Sequence, residues 1–134
     1  MAKAKKEYIY AVGRRRTAHA RVRLYKGEME STVNDTVIGK FFTTPIMRSQ
    51  WQKPFVLTDT LGKYYLTAKV RGGGQQSQLE AVIHGVSRAL ASISTENRVA
   101  VKKAGLLTRD PRTRERRKVG TGGRARRKKQ SPKR

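Results

Sequence analysis

From residue 19 to residue 25 the chain alternates. Ala20, Val22 and Leu24 fall on one parity, Arg21, Arg23 and Tyr25 on the other. A period of two marks a strand with one buried and one solvated face. The pattern returns over residues 64–71, where Leu66, Ala68 and Val70 are set against Tyr65, Thr67, Lys69 and Arg71. Residues 8–13 are apolar and β-prone and predict a further strand. After Gly72-Gly73-Gly74 the period changes. Leu79, Val82, Ile83, Val86, Leu90 and Ile93 fall at offsets 0, 3, 4, 7, 11 and 14, a single apolar stripe along a helix.

Weaker signals fill the gaps. Lys26-Gly27 suits a turn, after which residues 28–33 are expected to return as a third strand. Asn34-Asp35 reads as a turn or helix cap, with residues 36–42 as a short helix. Residues 45–51 predict another helical turn, stopped before Pro54. Residues 96–103 predict a last helix, ended by Ala104-Gly105. There is no internal repeat. This order of elements predicts an α+β fold: a small, mainly antiparallel sheet with helices packed on one face.

Charge changes the picture at residue 102. Residues 102–134 hold fifteen Lys or Arg, two acidic residues and no aromatic residue. Their only large aliphatic side chains are Leu106, Leu107 and Val119. Such a segment cannot bury enough apolar surface to offset the entropy of ordering itself. Residues 1–101 are therefore expected to form one globular domain and residues 102–134 an extended basic arm. Fully extended, that arm would reach on the order of 100 Å. The formal net charge of +23 divides into +10 on the first part and +13 on the second, and both point to a polyanion. Cysteine is absent and only two histidines occur, which leaves neither a disulfide nor a metal cluster, and no cofactor motif is present. The basic start, Met1-Ala-Lys-Ala-Lys-Lys, is not followed by an apolar stretch, and no window matches a membrane span. A soluble, intracellular protein with no membrane partner is expected.

Candidate contacts follow from the pattern. Arg14, Arg15 and Arg16 stand together after the first strand, where adjacent guanidiniums suit several phosphate oxygens. The strand faces left out of the core present Arg21, Arg23, Lys69 and Arg71 to the same chemistry. In the arm the densest cations are Arg109, Arg112, Arg114, Arg116, Arg117, Lys118, Arg124, Arg126, Arg127, Lys128 and Lys129, with glycines that keep it bendable. With few aromatic residues in the chain, stacking on bases is expected to be minor. Gly72-Gly73-Gly74 is neither a Walker loop nor a dinucleotide fingerprint; it suits a tight turn or the close approach of an RNA backbone. His84 has only Glu80 nearby in sequence, an ordinary helix-surface pair. Catalysis needs several convergent groups, so a structural or RNA-contacting role is expected for His84 and no enzymatic activity for the chain.

Four stretches, taken in order, resemble one known family. They are Val12-Gly-Arg-Arg-Arg-Thr-Ala-His-Ala-Arg-Val; Val70-Arg-Gly-Gly-Gly with Ile83-His-Gly-Val-Ser-Arg-Ala-Leu; Lys103-Ala-Gly-Leu-Leu-Thr-Arg-Asp-Pro-Arg with Glu115-Arg-Arg-Lys-Val-Gly; and Arg124-Ala-Arg-Arg with a closing Lys133-Arg134. The chain is similar to the family of the ninth protein of the small ribosomal subunit, in its bacterial and organellar form. The resemblance implies a ribosomal α+β domain with a left-handed βαβ crossover. It implies a structural place in the subunit head, on the 3′ major domain of the small-subunit rRNA, beside other head proteins. It further implies a tail that reaches the peptidyl-tRNA site, where Lys133 and Arg134 meet the backbone of the tRNA anticodon stem-loop. The implied location is the ribosome, cytoplasmic or organellar. This chain ends Gln130-Ser131-Pro132-Lys133-Arg134, where the family usually has an aromatic residue before Ser-Lys-Arg, and carries Thr121-Gly122-Gly123 where the family more often has larger or basic residues.

Other readings share the charge. A basic subunit of an RNA-processing ribonuclease would have a similar body, but nine acidic residues without a paired set argue against intrinsic cleavage. A nucleoid or chromatin DNA-binding protein would share the arm, but the amphipathic helix and the lack of simple tail repeats weigh against it. A membrane-active cation would need a basic amphipathic helix with bulky apolar residues.

Overall fold

In the computed structural model, residues 7–120 and 122 are described. Five strands form one sheet: β1 (Tyr8–Arg15), β2 (Ala18–Lys26), β3 (Thr32–Val33), β4 (Thr36–Val37) and β5 (Tyr64–Arg71), in the spatial order β1-β2-β5-β3-β4. The long strands β1, β2 and β5 are antiparallel; β3 and β5 run parallel and are joined through β4 and two helices. Those are α1 (Ile38–Phe41) and α2 (Pro45–Leu57), and α3 (Gln75–Ile93) and α4 (Thr95–Lys103) follow β5. α3 lies across β1, β2 and β5, with α2 and α4 packed on it, so the helices cover one face of the sheet. The expected α+β class, the mainly antiparallel sheet and the single covered face all hold.

The core lies between that sheet face and α3. Val22, Leu24 and Leu66 meet Leu79, Val82, Val86 and Leu90, all fully buried. Burying each such side chain stabilises the fold by about 1.5–3 kcal/mol. α3 lies so close to β1 and β2 that glycine stands at both contacts. A Cβ on Gly13 would stand 1.8 Å from the Ala81 carbonyl oxygen, and one on Gly85 would stand 2.7 Å from Val22 Cγ2. α3 also covers part of the outer edge of β1, a place where unpaired backbone would otherwise invite aggregation. Arg88 Nη1 donates to the Val12 carbonyl at 2.6 Å, and the Arg14 amide donates to His84 Nδ1 at 3.2 Å.

Two expectations are corrected. Residues 28–33 do not return beside β2, because β5 occupies that edge over an eight-residue register. The chain instead crosses to the far side of β5, where only Thr32 and Val33 form a strand. Side chains lengthen this short ladder. Ser31 Oγ accepts from the Leu66 amide at 3.2 Å, and the Asn34 side chain exchanges two bonds with Val70, at 2.8 and 3.1 Å, as a paired backbone would. Asn34 and Asp35 both have positive φ, 49° and 65°, and turn the chain into β4 before the short helix begins. Likewise α2 does not stop before Pro54 but runs on to Leu57. Proline there removes one helical bond, yet Pro54 and Phe55 are buried and Thr58 caps the end through Pro54 O. Tertiary burial outweighs the local breaker.

Candidate nucleic-acid interface

The face of the sheet opposite α3 is open, and strand register turns it into a grid. Arg14, His19 and Arg71 stand side by side across β1, β2 and β5; then Val12, Arg21 and Lys69; then Tyr10, Arg23 and Thr67; then Tyr8, Tyr25 and Tyr65. Adjacent strands lie about 4.8 Å apart, so cations that were distant in sequence become neighbours. Arg21 faces Lys69 directly, a like-charge cross-strand pair that costs stability unless an anion lies between. None of Arg14, Arg21, Lys69 and Arg71 is in a salt bridge among the described residues. The β3–β4 turn makes a low wall beside the grid. Two hollows of about 300 and 320 Å³ follow that wall, and Arg21 and Lys69 line both.

One end of the grid is aromatic. Tyr25 stacks on Tyr65 with centroids 5.2 Å apart, Tyr8 tilts onto Tyr25 at 5.5 Å, and the Arg23 guanidinium lies 5.1 Å from the centre of the Tyr8 ring. Tyr10 stands apart from this cluster and is 51% exposed.

The three consecutive arginines are not brought together. Arg14 joins the open face, and Arg16 is exposed in the β1–β2 turn with φ 53°. Arg15 points the other way, into the protein, because successive side chains of a strand alternate. Its Nε meets Glu80 Oε2 at 2.7 Å, its Nη1 donates to the Arg112 carbonyl at 2.7 Å, and its Nη2 lies 3.6 Å from Asp110. Thus Arg15 ties β1, α3 and the segment after α4 into one knot.

His84 belongs to the same knot and does not pair with Glu80. Its Nδ1 accepts from the Arg14 amide, so Nε2 carries the hydrogen and donates to the Leu107 carbonyl at 3.3 Å. Burial lowers its pKa below 6.5; the bond to Leu107 opposes that shift, and Arg88 and Arg109 add to it. Neutral His84 is a pin, not a general base. Hydrogen bonds from Arg112 hold the Asp110 carboxyl well below the usual carboxylate range. Arg109 donates to the Asp110 carbonyl. The root of the basic segment, from Leu107 to Arg112, is therefore attached to the body, while Arg114, Arg116, Arg117 and Lys118 are exposed beyond it. Arg124, Arg126, Arg127, Lys128, Lys129, Lys133 and Arg134 lie outside the described residues.

The glycine loop has its own explanation. Gly72 and Gly73 have φ 81° and 64°, and a Cβ on Gly72 would lie 2.4 Å from the Thr17 carbonyl oxygen. The backbone that approaches this loop is the protein's own β1–β2 turn. Tyr10 and His19 are members of the grid that sequence reasoning missed. The parity of β1 together with the pairing register would have found them, but register depends on which strands become neighbours.

A half-open sheet with a cationic outer face, and a basic segment rooted against β1 and α3, define a nucleic-acid-binding α+β protein. The comparisons with known proteins are more specific. The profile of the family described as ribosomal protein S9/S16 matches residues 13–134. The small ribosomal subunit protein uS9 of Maridesulfovibrio salexigens is 46% identical over 118 residues, covering 88% of this chain and 91% of the relative. The protein of the same name from Solidesulfovibrio magneticus is 44% identical over 117 residues, covering 87% and 90%. The chain belongs to the ribosomal protein S9/S16 family; it is a ribosomal protein, not an enzyme. No helix among the described residues is long and apolar enough to cross a membrane.

Proposed function

We propose that this chain is a structural constituent of the small-subunit head, bound to the 3′ major domain of small-subunit rRNA beside neighbouring head proteins. The observation that carries the reading is the cationic grid on the open sheet face, whose Arg14, Arg21, Lys69 and Arg71 form no salt bridge among the described residues, in a chain that also holds a segment of net charge +13. Folded RNA crowds phosphates together, and cations brought to them release condensed counterions. In this account residues 1–101 anchor on rRNA shape. Arg14, Arg16, Arg21, Arg23, Lys69 and Arg71 contact phosphate, while Arg15 holds the fold at their back. Residues 102–134 act as the arm, with Arg109, Arg112, Arg114, Arg116, Arg117, Lys118, Arg124, Arg126, Arg127, Lys128 and Lys129 along rRNA. Lys133 and Arg134 reach the peptidyl-tRNA site and hold tRNA by its backbone, which makes the contact indifferent to tRNA sequence. The protein works in ribosomes, cytoplasmic in a bacterium.

The chain should stay with small subunits through a high-salt wash. Deleting Lys133 and Arg134 should leave that association intact and speed tRNA dissociation from the peptidyl site of assembled ribosomes. Loss of the full chain from the washed subunit would refute the ribosomal role; unchanged tRNA dissociation would refute the tRNA contact alone.

A further inference from the structure

We propose that the hollow beside Tyr10 on the open sheet face binds one unpaired nucleotide of an RNA strand, with the base against the Tyr10 ring and the phosphate between Arg21 and Lys69. This rests on the RNA-binding role above and names the site and ligand for it. The hollow has a volume of about 300 Å³, within the range of small-ligand sites. It is lined by Tyr10, Arg21, Arg23, Thr67 and Lys69 on the sheet and by Asp35 on the turn wall. The other tyrosines of the face pack on one another, whereas Tyr10 makes no ring contact among the described residues, is half exposed and lines the hollow. Base–aromatic stacking needs such a ring, and it tolerates any base because every base has a π-face.

Asp35 decides between ligand classes. A lone carboxylate in a cationic hollow repels an acidic peptide, which would bring carboxylates of its own. A nucleotide suits both ends: its phosphate takes the cations, and donors on the Watson–Crick edge of its base take the carboxylate. Guanine suits best, because N1–H and the N2 amino group present two donors on one edge. The second hollow continues past Arg21 and Lys69 toward His19 and Arg71, which gives the next phosphate a seat. That continuity favours a strand over a free mononucleotide.

The test uses the full chain and a short single-stranded RNA with one central guanosine, read by fluorescence anisotropy. Tyr10→Leu is expected to weaken binding about tenfold with an unchanged salt slope, since no charge is removed, while Tyr10→Phe binds as the parent does. Asp35→Asn is expected to abolish the preference for guanosine over adenosine at the central position. Tyr10 is half exposed, so both variants should melt as the parent does. Equal affinities for the Leu and Phe variants would overturn the proposal. So would equal competition by guanosine monophosphate or by a poly-glutamate peptide of matched charge. Uptake into small subunits tests the ribosomal reading separately: a chain that stays off the subunit yet shows the Tyr10 effect supports this site and refutes that role.

Discussion

Replacing Gly13 by alanine tests the strand–helix contact on which the rest of the fold is built. The added Cβ would stand 1.8 Å from the Ala81 carbonyl oxygen and 2.4 Å from the Gly85 amide nitrogen. Both are main-chain atoms of α3, so no side-chain rotation relieves the overlap. The helix must retreat from β1 by about 1 Å or more. Leu79, Val82, Val86 and Leu90 ride on that helix and are fully buried. A gap of ~0.5–1 Å forfeits a quarter to a half of the attraction at each contact. Four side chains worth about 1.5–3 kcal/mol each then lose roughly 1.5–6 kcal/mol together. A backbone obstacle places the cost at the upper end of overpacking, about 3 kcal/mol. Urea unfolding of the full chain, followed by the fluorescence of its single tryptophan, Trp51, reads this as a lower midpoint at constant slope. Gly74→Ala is the control: no atom lies within 4 Å of its Cβ and φ is −92°, so the change should stay within about 0.5 kcal/mol of zero. Gly85→Ala should fall between them. Its overlap is with the Val22 side chain, and alanine gains about 1 kcal/mol in helix propensity. If Gly13→Ala unfolds at the same urea concentration as Gly74→Ala, the close-packing argument is refuted.

Other outcomes follow from the same structure. Asn34→Ala removes both side-chain partners of the buried Val70 backbone and places alanine at φ 49°; the expected loss is about 3 kcal/mol, and amide exchange at Val70 should accelerate. For His84, the folded pKa lies below 6.5, so unfolding takes up a proton in the window beneath that value. Stability should therefore be full above pH 6.5 and fall on acidification, and His84→Gln should flatten that dependence in urea titrations at about pH 7 and about pH 5.5. Removal of residues 102–134 should sharply weaken binding to head rRNA and reduce the slope of log K against log salt; an unchanged slope would count against counterion release.

Much of the architecture is legible in the sequence because it rests on local periodicity. The period of two in β2 and β5 and the helical stripe of α3 each state which face is buried, and the structure keeps those faces. Where the expectations failed, distant residues decided. Residues 28–33 cannot pair with β2 once β5 holds that edge, and nothing near them in sequence says so. Pro54 reads as a stop because the burial of Phe55 is a tertiary fact. Arg14-Arg15-Arg16 reads as one cluster along the chain, but alternation across β1 sends Arg15 to Glu80 and Asp110 while Arg14 faces solvent.

The residues alone therefore determined the class of fold, the net positive field, and the membership of the family, since each follows from composition, period or an ordered set of short motifs. Register decided the rest. Only the pairing of β1, β2 and β5 sets Tyr10 beside Arg23 and Arg21 beside Lys69, and only the docking of α3 makes Gly13 indispensable and His84 a neutral pin. Such contacts join positions far apart in the chain, and their energies exist only after the chain has closed on itself.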